Sequence, residues 1–134
     1  MNLVEFALAG KATFTVMNDK TGKHLTFKIK ACKKTPEIHF VSVLTGSDNT
    51  SNYSYLGTIF SHDRYKHGSK SYINKEAQSN RAFEWLWPRL LTNTLPDSVH
   101  FIPAERCCVC GRKLTHPESC RDYIGPECRK RHKF

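Results

Sequence analysis

Five of the six cysteines in this 134-residue chain fall between Cys107 and Cys128. No other feature constrains the fold as strongly. Cys107 and Cys110 form a C-x2-C pair, and Cys120 and Cys128 form a C-x7-C pair nine residues further on. Two such pairs can close a tetrahedral ion from opposite sides. Gly111, directly after Cys110, permits the positive φ of the tight turn that aims backbone N–H groups at the sulfurs. The expectation is one structural Zn²⁺. Disulfides would need an oxidising compartment, and the opening MNLVEFALAG has no basic region and carries Glu5 within its short apolar run, so a cytoplasmic, reducing location is expected. A redox C-x-x-C would sit beside a βαβ alternation, which the residues before Cys107 lack. Cys108 is then a spare thiol, and Cys32 is expected to be a small buried apolar residue.

Cys120 is assigned as the fourth ligand because four thiolates form a closed structural set; His116 and His100 are the alternatives, since imidazole also binds zinc. Gly125-Pro126 marks a loop end and a helix start, with Pro126 at the first helical position. Cys128 would then lie in a first turn that favours a thiolate.

The run from Cys107 to Cys128, with CVCGRKLTHPES followed by IGPEC, resembles a family of small zinc-binding proteins of unknown function found in phages, prophages and other mobile elements. The family signature is roughly CxxCGRxLTxPxSxxxGxGPxC. Cys120 stands where that family has an aliphatic residue, and Tyr123 where it has glycine. The resemblance implies zinc and a mobile-element origin, with no activity attached.

The length suits one domain with a modest core and a metal staple. No apolar run approaches the roughly 20 residues needed to span a membrane, so no membrane partner is expected. The formal charge is +9, and it is uneven. Residues 1–35 carry seven Lys/Arg against two Asp/Glu, residues 36–103 six against six, and residues 104–134 eight against four. Four thiolates around one Zn²⁺ would lower the total to about +7. The remaining cations concentrate in Lys28, Lys30, Lys33 and Lys34, in Arg112 and Lys113, and in Arg129, Lys130, Arg131 and Lys133. Such patches suit a phosphate backbone or an acidic protein surface.

The pattern before the cysteines is that of an α+β body over residues 1–104, with the zinc module and basic tail over 105–134 integrated into the same domain. Phe14 and Val16 alternate with Thr13, Thr15 and Met17, Asp19-Lys20-Thr21-Gly22 supplies turn chemistry, and Leu25, Phe27 and Ile29 resume the alternation. These residues predict a hairpin of strands at about 12–18 and 24–31. A second pair is expected at about 38–45 and 53–60, joined by the polar SDNTSN. The result is an antiparallel sheet of about four strands. Residues 60–79 are polar and predict a loop entering a helix. The helix, at about 77–91, carries Phe83, Leu86, Trp87 and Leu90 at i, i+3, i+4 and i+7, an aromatic-rich stripe able to cover one sheet face. Pro88 predicts a helix end near Trp87 or a kink. Trp87 is expected in the core, with Trp85 either buried or exposed. Residues 99–104 predict a short strand or an extended lead into the zinc module.

His62, Asp63, His67 and Asp48 match no recognised catalytic spacing, and the chain has no phosphate-cradling glycine loop or nucleophile elbow. No enzyme is expected, with a nuclease as a minor alternative. The expected function is that of a mobile-element accessory protein whose basic faces dock onto a host nucleic-acid-processing protein and inhibit it. Blockade of target-DNA loading on a Cas nuclease, as by an anti-CRISPR protein, is the specific candidate. The alternative is a zinc-stapled DNA- or RNA-binding protein whose Lys28 and Lys30 lie among Phe27, Tyr53 and Tyr55 as base-stacking aromatics.

Overall fold

The computed structural model describes residues 2–46, 52–104 and 109. Helix α1 (Leu3–Ala7) is capped by the Asn2 side chain, which accepts from the Glu5 N–H. Strands β1 (Lys11–Asn18), β2 (His24–Ala31), β3 (His39–Leu44) and β4 (Tyr53–Phe60) follow, then β5 (Arg64–His67), α2 (Gln78–Thr92) and β6 (Val99–Pro103). The strands form one antiparallel six-stranded sheet in the order β5-β4-β3-β2-β1-β6. The α+β class, both predicted strand pairs and the helix are therefore present. The sheet is wider than the expected four strands.

Both additional strands have local causes. The segment from Phe60 predicted as a loop turns at once, because Ser61 and His62 both adopt positive φ, 54° and 65°. Such a conformation costs most non-glycine residues on the order of 1 kcal/mol and leaves little sequence signal. The chain then returns along β4 as β5, with Tyr65 pointing inward. At the other edge, Val99 and Phe101 alternate with His100 and Ile102, and Pro103 closes β6, a position where a missing donor is tolerated. The β1–β2 turn is tied by the Asn18 carbonyl accepting from Gly22 N–H at 2.8 Å and by Asn18 N–H donating to the Lys23 carbonyl at 2.9 Å.

Among the described residues, both helices pack on one face of the sheet. Phe83 on α2 contacts Phe27 and Tyr65, with centroids 5.1 and 4.6 Å away, and Trp87 stacks on Phe83. Phe6 on α1 meets Phe14 and Phe101 edge-on. Ala12, Phe14, Phe27, Ile29, Val41, Val43, Leu56 and Ile59 supply the sheet side of this core. The helix runs on through Pro88 to Thr92, close to the expected bounds of about 77–91, and does not end near Trp87. Trp87 and Leu90 are buried on either side of the exposed proline, so continued helix is compensated by their burial. Asn93, in the left-handed region, caps the end through N–H contacts with the Arg89 and Leu90 carbonyls. Trp87 is core, and its indole N–H donates to the Asp63 carbonyl at 3.1 Å. Trp85 stays 38% exposed. Cys32 is only half-buried in the β2–β3 connection, a correction to the buried position expected, because β2 ends at Ala31.

Two buried polar groups interrupt the core. The Tyr65 hydroxyl donates to Asn80 Oδ1 at 2.7 Å, and Asn80 Nδ2 donates to the Lys75 carbonyl and to Glu84 Oε1. Burial, with the nearby Glu84 charge, pushes the Tyr65 phenol well above its ordinary range. His39 is 2% exposed and pairs through Nε2 with the Leu8 carbonyl at 3.2 Å, while its Nδ1 has no partner. Burial holds its pKa below the ordinary histidine value.

Candidate nucleic-acid interface

Strand register determines which side chains share the second face of the sheet. Lys11 is directly opposite Lys30, Lys30 opposite Phe40, Phe40 opposite Thr58, and Thr58 opposite Lys66. These five residues, one from each of five adjacent strands, form a row across the face. Four spacings of ~4.8 Å make it about 19 Å long. A second row, Thr13, Lys28, Ser42 and Tyr55, runs beside it. Lys11, Lys30 and Lys66 are exposed, and Phe40 is 41% exposed.

The electrostatics of this face oppose folding. Lys11 and Lys30 stand directly opposite each other, and like charges at that position are destabilising. Among the described residues, neither they nor Lys66 has a carboxylate within ion-pair distance; the ion pair present is His100 with Asp19. A surface with unneutralised cations beside an exposed phenylalanine is suited to a polyanion.

The tyrosines reach this face through a β-bulge. The β3–β4 register shifts between Val41, which pairs with Gly57, and Ser42, which pairs with Tyr55. Leu56 is thus the extra residue. Strict alternation from the core-facing Ile59 would turn Gly57, Tyr55 and Tyr53 inward. The bulge instead sends Leu56 into the core and reverses the strand beyond it. Tyr55 then lies against Phe40, with ring centroids 6.3 Å apart, and its hydroxyl shares a 2.6 Å hydrogen bond with Thr58. The Lys28 ammonium sits 4.1 Å from the centre of the Tyr53 ring.

The predicted contacts divide accordingly. Lys28, Lys30, Tyr53 and Tyr55 come together, whereas Phe27, expected beside them, is 1% exposed in the core. Its position follows from period-2 alternation, since the neighbours of Lys28 along β2 point the other way. Lys33 and Lys34 are exposed in the β2–β3 connection, outside the row. Sequence reasoning missed Lys11, Phe40 and Lys66. The first two were accessible from alternation in their strands, while Lys66 lies on a strand with no clear signal.

Cys107, Cys108, Cys110, Cys120 and Cys128, the alternative ligand His116, and Arg112, Lys113, Arg129, Lys130, Arg131 and Lys133 lie outside the described residues, as does Asp48. His100 lies on β6, with Nε2 2.6 Å from Asp19 Oδ2. From the cysteine-rich stretch Val109 is described, packed half-buried against the core. Its carbonyl approaches Gly10 so closely that a Cβ there would lie 2.5 Å from the oxygen, and Gly10 has φ +143°. Glycine thus lets the Val109 carbonyl lie against the residue that precedes β1.

The sequence model of DUF6011, a family of unknown function, matches residues 103–133. The match covers the cysteine-rich stretch and begins at the last residue of β6. No curated protein and no solved structure matches the chain.

Of the imagined nuclease residues, His62 rests edge-on against His39 at 5.5 Å, and His67 Nε2 lies 2.7 Å from the Ile73 carbonyl. Among the described residues, no group of three or more His, Cys, Asp or Glu is placed to hold a metal, and no helix is long and apolar enough to cross a membrane.

Proposed function

We propose that the protein binds single-stranded nucleic acid across the second face of its sheet. The observation that carries this reading is the in-register row Lys11, Lys30, Phe40, Thr58 and Lys66, flanked by Lys28, Tyr53 and Tyr55. Cations along the row would follow the phosphates, while Phe40 and Tyr55 offer ring faces to unpaired bases. A duplex hides those faces, so single strands are favoured. Zinc belongs to the same reading as a structural element: Cys107, Cys110, Cys120 and Cys128 would hold one Zn²⁺, and Arg112, Lys113 and the tail from Arg129 would add phosphate contacts. The C-x2-C and C-x7-C spacing supports that part.

An inhibitor docking on the acidic groove of a host nucleic-acid-processing protein, such as a Cas effector, would use the same cations. The aromatics favour nucleic acid, because an acidic groove needs charge but offers no stacking partner for Phe40 and Tyr55.

Fluorescence anisotropy with a labelled single strand of about 12 nucleotides tests the proposal. If Lys11, Lys28, Lys30 and Lys66 each meet one phosphate, log K should fall against log salt with a slope of about −3. Tyr55→Ala should cost ~1–3 kcal/mol of binding, and Lys30→Glu should weaken binding and flatten the slope. Absence of binding at low salt would overturn the proposal. A host protein retained in pull-downs after nuclease treatment would favour the inhibitor instead.

A further inference from the structure

A cavity of about 230 Å³ opens on the helix side of the sheet, between the β1–β2 turn and the N-terminal half of α2. It lies across the sheet from the basic row and plays no part in the function proposed above. Its inner surface is apolar, made by Val16, Leu25, Phe27, Ala82 and Leu86, with Trp85 forming one wall. Trp85 is braced from within its own helix: the Arg89 guanidinium lies 4.1 Å from the indole centre and donates to the Trp85 carbonyl at 2.7 Å. An exposed tryptophan held in this way is a prepared stacking surface.

The rim adds charge of one sign. Lys23 stands at the mouth, and no carboxylate lines the cavity. The nearby Asp19 carboxylate is instead engaged by His100 at 2.6 Å. The rim is also pre-shaped, because Asn18 Oδ1 accepts from Lys20 N–H at 2.9 Å and Thr21 Oγ1 from Lys23 N–H at 3.2 Å. Little ordering would remain to be paid on binding.

We propose that this cavity is a binding site for a planar bicyclic aromatic molecule carrying an anionic substituent. The ring would enter between Trp85 and the Val16–Leu25 surface, and the anion would meet Lys23. An apolar cavity of about 150 Å³ accommodates benzene, so a volume near 230 Å³ suits a fused two-ring system. The apolar lining selects the ring, and the cationic rim selects the sign of the substituent.

The test is an NMR titration of the full chain with indole-3-acetate, tryptamine and adenosine monophosphate as probes. Indole-3-acetate should shift the Trp85 indole and the Gly22 and Lys23 amide signals and bind at least tenfold more tightly than tryptamine, which carries the opposite charge. Lys23→Glu should reverse that preference. Ala82→Leu, which fills the cavity with a residue suited to a helix, should abolish binding while the melting temperature shows the fold intact. Adenosine monophosphate binding more tightly than indole-3-acetate would assign the site to nucleotides; the reverse order would assign it to aromatic acids. Absence of saturable shifts, equal binding of the two indoles, or shifts confined to the opposite sheet face would overturn the proposal. The oligonucleotide reports on the other face, so either result can fail without the other.

Discussion

The two faces of the sheet are built from the same strands and the same alternation, yet they are opposites in physical terms. One face joins Phe14, Phe27, Val41 and Ile59 to Phe83, Trp87 and Leu90, where burial of apolar area supplies the main driving force for folding. The other places two lysines directly opposite each other and leaves a phenylalanine ring 41% exposed. The like-charged pair opposes folding, and the exposed part of the ring adds nothing to it. The difference separates residues held for stability from residues whose presence calls for a ligand.

Substitutions on the two faces should therefore differ in size and in sign. The largest effect is expected for Phe83→Ala, which removes the ring that joins Phe27, Tyr65 and Trp87 and should cost ~3–5 kcal/mol of stability by chemical denaturation. Asn80→Ala should come next, at ~1–3 kcal/mol, since it leaves the buried Tyr65 hydroxyl without its acceptor; Tyr65→Phe in the same background should recover part of that loss.

A smaller, pH-dependent effect is expected at His39. Its pKa is lowered in the folded chain, so the unfolded chain takes up the proton first. The stabilisation is complete above the ordinary value of ~6.5 and is lost as pH falls from there through the folded value. Denaturation midpoints across that range should decline with acid in the native chain and decline less in His39→Leu. Equal slopes would mean that His39 does not carry the effect.

The smallest stability change is expected at Lys30→Glu on the second face, and it should be favourable. Exchanging the like pair with Lys11 for an opposite pair should add a few tenths of a kcal/mol, up to ~1 kcal/mol. The same change should weaken oligonucleotide binding. A destabilised Lys30→Glu protein, or one that binds unchanged, would break the contrast between the faces.

Much of the covered face was legible in the sequence. The alternation around Phe14 and Phe27, the turn at Asn18–Lys23 and the stripe from Phe83 to Leu90 each follow from local periodicity, and each appears where expected. The second face was only half legible. Lys28 and Lys30 share it by the same period, but Phe27 was grouped with them although adjacent strand residues point to opposite faces. β5 escaped because its turn is made by Ser61 and His62 at positive φ without a glycine. The helix bounds lie within a residue of those expected, but whether Pro88 would end the helix stayed open, because proline acts locally, whereas the burial of Trp87 and Leu90 that outweighs it depends on the sheet beneath.

By itself the sequence determined the two hairpins, the amphipathic helix and a cysteine spacing suited to a tetrahedral ion, because periodicity, turn chemistry and ligand spacing are properties of short stretches of chain. Only the tertiary structure decided that Lys11, Lys30, Phe40, Thr58 and Lys66 stand in one row and that Tyr53 and Tyr55 join them. Register belongs to pairs of strands, and the single extra residue at Leu56, which reverses the facing of everything before it in β4, acquires meaning only against its partner strand.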